Sequence, residues 1–81
     1  MERVLCAHVP AHESKEVMLK GWIHRVRRLG NLSFVLLRDR SGLVQVALEA
    51  IEVPWSLESA VEVRGHAVAE PRAPMGVEVR A

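Results

Sequence analysis

Aromatic side chains are scarce in this 81-residue chain: one Phe, two Trp and no Tyr. The 49% hydrophobic fraction is therefore aliphatic, and valines recurring at every second position suit a pleated, half-buried surface. Cysteine occurs once, which excludes an intrachain disulfide and fits a reducing, cytoplasmic compartment. No apolar run approaches the roughly 20 residues that cross a bilayer, and the N-terminus lacks the apolar core of a signal peptide. Neither a membrane protein nor a secreted precursor is expected. The net charge of +1 excludes a polycation, so any attraction to a polyanion has to come from local clustering. Low-complexity tracts and internal repeats are absent as well.

What is present fits one small domain over residues 1–81, close to the size at which a single core is only marginally stabilising. Residues 1–15 form a lead-in of weak pattern. Val4, Leu5 and Val9 can pack on a core there, while Pro10 and the polar His12-Glu13-Ser14-Lys15 break regular structure. From Glu16 to about Val26, Val17, Leu19, Gly21 and Ile23 alternate with Met18, Lys20, Trp22 and His24, a long strand with a bend or bulge expected at Gly21. A basic loop, Arg25 to Asn31, leads to a second strand, Leu32 to Arg38. Asp39-Arg40-Ser41-Gly42 has turn chemistry, with Asp suited to capping and Gly to positive φ. A third strand follows over Leu43 to Leu48. Residues Glu49 to Ser59, with Pro54, leave room for a loop and one helical turn. Ala60 to Glu70 alternates as a fourth strand, Pro71 to Gly76 forms a rigid loop, and Val77 to Ala81 is the fifth strand. Ending inside a strand with no closing turn, the chain reads as cut from something longer or trimmed to a minimal domain. Five short strands with the main break after the third match an all-β, five-stranded Greek-key barrel of the OB type. An SH3-like barrel is the rival that strand count leaves open.

Three features carry chemistry. Phe34 has core packing as its default reading, but Val35 and Leu37 already supply a buried face. That leaves the ring on the side of Leu36 and Arg38, where an exposed ring beside arginine can stack on unpaired bases. Gln45, the one glutamine, sits on an otherwise aliphatic strand, and its amide donates and accepts together as a base edge requires. A solvent-facing polar residue is the plainer reading. A two-residue Arg40-Ser41 turn would put Gln45 across from Leu36 on the Phe34 side, whereas a glycine bulge would separate the two. Arg25, Arg27 and Arg28 form the densest positive patch, suited to phosphates or base edges, or simply solvated. Trp22 and Trp55 read as packing residues. Cys6, His8 and His12 offer three donor groups without a fourth and make a poor metal site. No nucleophile elbow, phosphate-binding glycine loop or spaced carboxylate pair appears, so nothing points to catalysis by this chain.

Taken in order, Gly21-Trp22-Ile23-His24-Arg25, Arg27-Arg28-Leu29-Gly30, Phe34-Val35-Leu36-Leu37-Arg38-Asp39 and Ser41-Gly42-Leu43-Val44-Gln45 resemble the anticodon-binding OB domain of class IIb aminoacyl-tRNA synthetases. Val63-Arg64-Gly65 and Ala73-Pro74-Met75-Gly76-Val77-Glu78-Val79 are similar to the same group, and the resemblance runs from Val17 onward. The nearest branch is the archaeal-type, non-discriminating aspartyl enzymes, with asparaginyl enzymes next. The resemblance implies that Phe34 stacks on the central anticodon uridine and that Gln45 hydrogen-bonds it. It further implies that Arg27 contacts the anticodon stem-loop; Arg25, from the same basic patch, is expected to add a phosphate contact. Arg28 stands where the family usually has Asp. His24 and Pro74 resemble members that accept both aspartate and asparagine tRNAs by relaxing the pocket for the third anticodon base.

On this resemblance the partner is tRNA for aspartate, with asparagine tRNA second. The chain itself needs no cofactor: ATP and Mg, and any homodimer contact, belong to a catalytic domain that is absent, so the chain binds tRNA without aminoacylating it. The alternatives are a stand-alone OB protein that grips single strands without sequence preference and an interaction module that has lost RNA.

Overall fold

The computed structural model describes residues 2–49 and 59–81. The expected loop and helical turn after Glu49, with Pro54 and Trp55, lie almost wholly outside the described residues. Five strands, β1 (Glu16–Leu29), β2 (Leu32–Asp39), β3 (Gly42–Leu48), β4 (Ala60–Ala69) and β5 (Val77–Arg80), close into a barrel in the order β1-β2-β3-β5-β4. β3 and β5 run parallel and every other neighbouring pair is antiparallel. This is the OB arrangement, and it settles the choice against an SH3-like barrel. Closure abolishes sheet edges, which a five-strand domain of this size needs.

β1 closes the barrel by serving both halves. Residues 16–22 pair with β4 and residues 22–29 with β2. Where it passes from one partner to the other it crosses the chain closely: a Cβ at Gly21 would collide with the Arg38 carbonyl oxygen. Gly21 therefore provides close approach. The bulge expected there lies instead at His24, between the pairs Ile23–Leu37 and Arg25–Leu36.

The basic segment expected as a loop from Arg25 to Asn31 is mostly strand. β1 continues through Leu29, and only Gly30 and Asn31 form the turn, with Leu29 opposite Leu32. Gly30 takes φ 62°, and a glycine with positive φ at the first central position is the pattern of a primed two-residue hairpin. Arginine stems lie along a strand as readily as in a loop. Beneath them Val26 packs against the core, continuing the inward alternation.

Inward positions build the core. Val17, Leu19, Ile23, Val35, Leu37, Val44, Val46 and Val79 are fully buried. One end of the barrel is plugged by residues expected to be irregular. Cys6–His12 forms a 3-10 segment that includes Pro10 and buries Cys6 and Val9 completely. The fixed φ of proline is compatible with such a turn. Regular structure breaks after it, at Ser14, which has φ 70°.

The plug is tied down through Asp39, at the end of β2. Its Oδ2 accepts from the Cys6 N–H at 2.9 Å, and its Oδ1 accepts from the Ser41 N–H at 2.8 Å and from the Ser41 hydroxyl. Ser41 Oγ in turn accepts from the Ala7 N–H at 3.0 Å. Asp39 is only 3% exposed. Burial on its own would raise this carboxyl, but the Ser41 hydroxyl and the Cys6 and Ser41 N–H donors outweigh it, so Asp39 sits below its ordinary value of 3.8. A carboxyl lowered in the folded state stabilises the fold above pH 3.8, and that share fades as pH falls through the folded value. Replacing Asp39 by Ala is expected to cost about 1–3 kcal/mol in urea unfolding at pH 7, because the buried Cys6 N–H and the part-buried Ser41 N–H lose their acceptor. Asp39→Asn is expected to lack the wild-type share of stability lost below pH 3.8. Acid-unfolding curves of equal steepness for wild type and D39N would show that the carboxylate does not hold this end together.

Candidate nucleic-acid interface

Strand parity assigns the outer face. Because Asp39 pairs with Gly42, the turn between β2 and β3 has two residues, Arg40 and Ser41, and no bulge. Leu36 is therefore opposite Gln45 and Phe34 opposite Ala47, so Phe34 and Gln45 share the outer face as diagonal neighbours. Val35 and Leu37 take the inward positions beside them. Across the sheet, one outer row runs Arg25, Leu36, Gln45, Glu78, Val68, and the next runs Arg27, Phe34, Ala47, Arg80, His66.

Side chains from these rows line an open cleft of about 550 Å³. Phe34 is half-buried, with its ring at the floor between Arg27 and Ala47. The Arg27 guanidinium carbon lies 5.7 Å from the ring centroid, within cation–π range. Gln45 donates from Nε2 to Glu78 Oε1 at 2.8 Å, and Arg80 Nε donates to Glu78 Oε2 at 2.9 Å. The Glu78 side chain is nearly buried, while that of Arg80 is largely exposed. Leu29 and Leu32, at the tip of the β1–β2 hairpin, extend one wall as exposed apolar side chains.

Electrostatically the cleft is mixed. Arg27, Arg72 and Arg80 line it together with Glu49, Glu70 and Glu78. The cationic excess is concentrated along β1, and there parity divides the arginines. Arg25 and Arg27 pair with outward residues, Leu36 and Phe34, whereas Arg28 pairs with the buried Ser33 and so belongs to the opposite side of the ribbon.

Of the residues singled out in the sequence, the cleft gathers Phe34, Gln45 and Arg27. Arg25 lies one pair further along the same face, outside the lining. His24 is exposed as the bulged residue, and Pro74 is exposed in the short Pro74–Gly76 turn that precedes β5; neither lines the cleft. Sequence reasoning missed Glu78 and Arg80 as parts of the site. Their signal was the inward Val77 and Val79, which leave Glu78 and Arg80 outward, but only the non-local parallel pairing of β3 and β5 brings Glu78 beside Gln45.

Among the described residues, no cluster of three or more His, Cys, Asp or Glu can hold a metal ion. Cys6 is buried in the core, while His8 and His12 lie in an outer groove, where His12 Nδ1 sits 3.0 Å from the His8 carbonyl oxygen. Burial, followed by the nearby Asp39 charge, pushes the Cys6 thiol up to about 12.

An OB barrel presenting a stacking ring, a guanidinium and an oriented amide on its outer face defines a nucleic-acid-binding class of domain. The chain belongs to the tRNA anticodon family of OB-fold nucleic acid binding domains, whose pattern matches residues 17–81. It is 48% identical over 79 residues to the aspartate–tRNA(Asp/Asn) ligase of Thermus thermophilus, covering 98% of this chain and 18% of that protein. It is 42% identical over 90 residues to the asparagine–tRNA ligase of Thermococcus gammatolerans, covering all of this chain and 21% of that one. Asparaginyl-tRNA synthetase from Pyrococcus horikoshii, solved with asparaginyl-adenylate, superposes with a TM-score of 0.88 at 35% identity, over 99% of this chain and 21% of that structure. The chain thus spans about a fifth of the length of these relatives. Among the described residues no helix is long and apolar enough to cross a membrane.

The buried thiol gives a direct check on the plug. A disulfide reagent applied to the native chain at pH 8 is expected to label Cys6 only as fast as the molecule opens, and at once in denaturant, since the thiolate is the reactive form. Immediate stoichiometric labelling of the native chain would mean that the Cys6–His12 segment does not cap the barrel.

Proposed function

We propose that this chain binds the anticodon loop of tRNA for aspartate, and of asparagine tRNA as well, and reads the central uridine of the anticodon. The observation that carries the reading is the β2–β3 register. It sets the Phe34 ring and the Gln45 amide on one face of one cleft, with the Arg27 guanidinium against the ring. An unpaired base stacks on Phe34, and its Watson–Crick edge meets Gln45. Arg27 and Arg25, projecting from the same face of β1, take phosphates of the loop and stem.

His24 and Pro74, both outside the cleft, are assigned to the neighbouring third anticodon base. The names of the relatives support the tRNA class, since they include ligases for aspartate and asparagine tRNAs. In this reading the chain works in the cytoplasm. Aminoacylation, with its ATP and Mg and any dimer contact, belongs to a catalytic part outside these residues, so the chain alone binds tRNA and does not charge it.

Phe34→Ala is expected to weaken binding of an anticodon stem-loop by about 1–3 kcal/mol, the contribution of one stacked base, with the melting temperature little changed. Affinity is expected to fall with rising salt, as phosphate contacts require. A variant that melts far earlier, with binding lost in step with folding, would make Phe34 a core residue. Equal affinity for hairpins with and without the central uridine would favour a binder of single strands without sequence preference.

A further inference from the structure

The Gln45 amide is held by a relay of two further side chains. Its nitrogen donates to one oxygen of Glu78, and the other oxygen of Glu78 is taken by Arg80 Nε. A carboxylate only accepts, so the amide must turn its NH2 group toward Glu78 and its carbonyl oxygen away. The backbone keeps the three in place. Gln45 and Glu78 are registered across the parallel β3–β5 pair, Arg80 follows two residues later on the same face, and the Ala81 N–H fastens the strand end to the Ala47 carbonyl at 3.1 Å.

We infer that Arg80 is a positioning residue for base selectivity. By holding Glu78 it fixes the Gln45 amide, and this commits the outward-facing carbonyl to accept an N–H from the bound base. Uracil offers that donor at N3, flanked by carbonyl oxygens that the remaining amide N–H can reach. Cytosine offers a lone pair at N3, which meets the Gln45 carbonyl as acceptor against acceptor. Without Arg80, Glu78 loses the partner of its second oxygen and the carboxylate can swing. The amide is then free to turn over and present its NH2 group to the base, an orientation that suits cytosine. The ion pair itself is worth little to the fold, because Arg80 is largely exposed. The inference rests on the base-reading function proposed above.

The test is a binding titration of the 81-residue chain against anticodon hairpins that differ only in U or C at the middle position. Wild type is expected to prefer U. Arg80→Ala is expected to reduce the U-to-C affinity ratio roughly tenfold, the scale of one good base-edge contact, at an unchanged melting temperature. R80K, which can still donate to Glu78 Oε2, is expected to keep most of the ratio. E78Q is expected to lose it, with R80A adding nothing further in the double variant. If R80A weakens the U and C hairpins by the same factor, Arg80 is a phosphate contact or a structural residue and the inference falls alone. If wild type shows no U preference although F34A still weakens binding, the amide does not read the base: the selectivity inference fails and only the stacking half of the reading stands. If neither the base change nor F34A alters binding, both fail.

Discussion

The turn between β2 and β3 sets the geometry on which the proposed site depends. Side chains alternate along a strand, so one additional residue in that turn would have moved Gln45 to the interior side and buried an amide among valines. The pairing of Asp39 with Gly42 prevents this, and Asp39 is itself held by donors from its own turn and from the N-terminal plug. A single buried carboxylate thus links the cap of the barrel to the register of its binding face. Fold stability and site geometry are joined at that residue, and a site built this way sits on rigid strands.

The cleft divides its labour between shape and charge. The floor is a half-buried ring with a guanidinium beside it, which suits the flat face of any base. In the proposed reading discrimination comes from the Gln45 amide, and an amide discriminates only if it cannot turn over. In the inference drawn above, the Glu78–Arg80 pair on the neighbouring strand is that restraint, through the hydrogen bonds from Gln45 and Arg80 to Glu78. Because arginines and glutamates both line the cleft, its field is mixed. In the proposed reading, long-range attraction for a polyanion falls to Arg25 and Arg27 on the β1 hairpin, in keeping with a net charge of only +1.

Much of this was legible before any coordinates. The period-2 alternation of valine and leucine placed all five strands, with ends off by a residue or so apart from that of β1, and the Asp-Arg-Ser-Gly turn pointed to the hairpin. What escaped has physical causes. Three arginines within four residues read as a loop, although their apolar stems let them extend β1 to Leu29. The 3-10 plug was hidden because Cys6 and Val9 recur at a spacing of three just before a proline that ordinarily signals a break. Glu78 was not singled out, standing between inward valines on the last strand. Only the parallel pairing of strands 33 residues apart makes it the partner of Gln45, and local pattern carries no information on such a contact. His24 and Pro74 were singled out through resemblance, and they lie outside the cleft that gathers Phe34, Gln45 and Arg27.

The central claim is that an unpaired base lands between the Phe34 ring and the Gln45 amide. The chain has one phenylalanine and one glutamine, so each gives a unique set of nuclear magnetic resonance signals that can be followed as an aspartate anticodon hairpin is added. The account predicts large, saturable shifts of the Phe34 ring protons and the Gln45 side-chain amide, with Lys20, Trp22 and Glu62, which line a separate groove around Gly21, unmoved. Saturable shifts confined to the Trp22 side, with the Phe34 and Gln45 signals still in place, would contradict it.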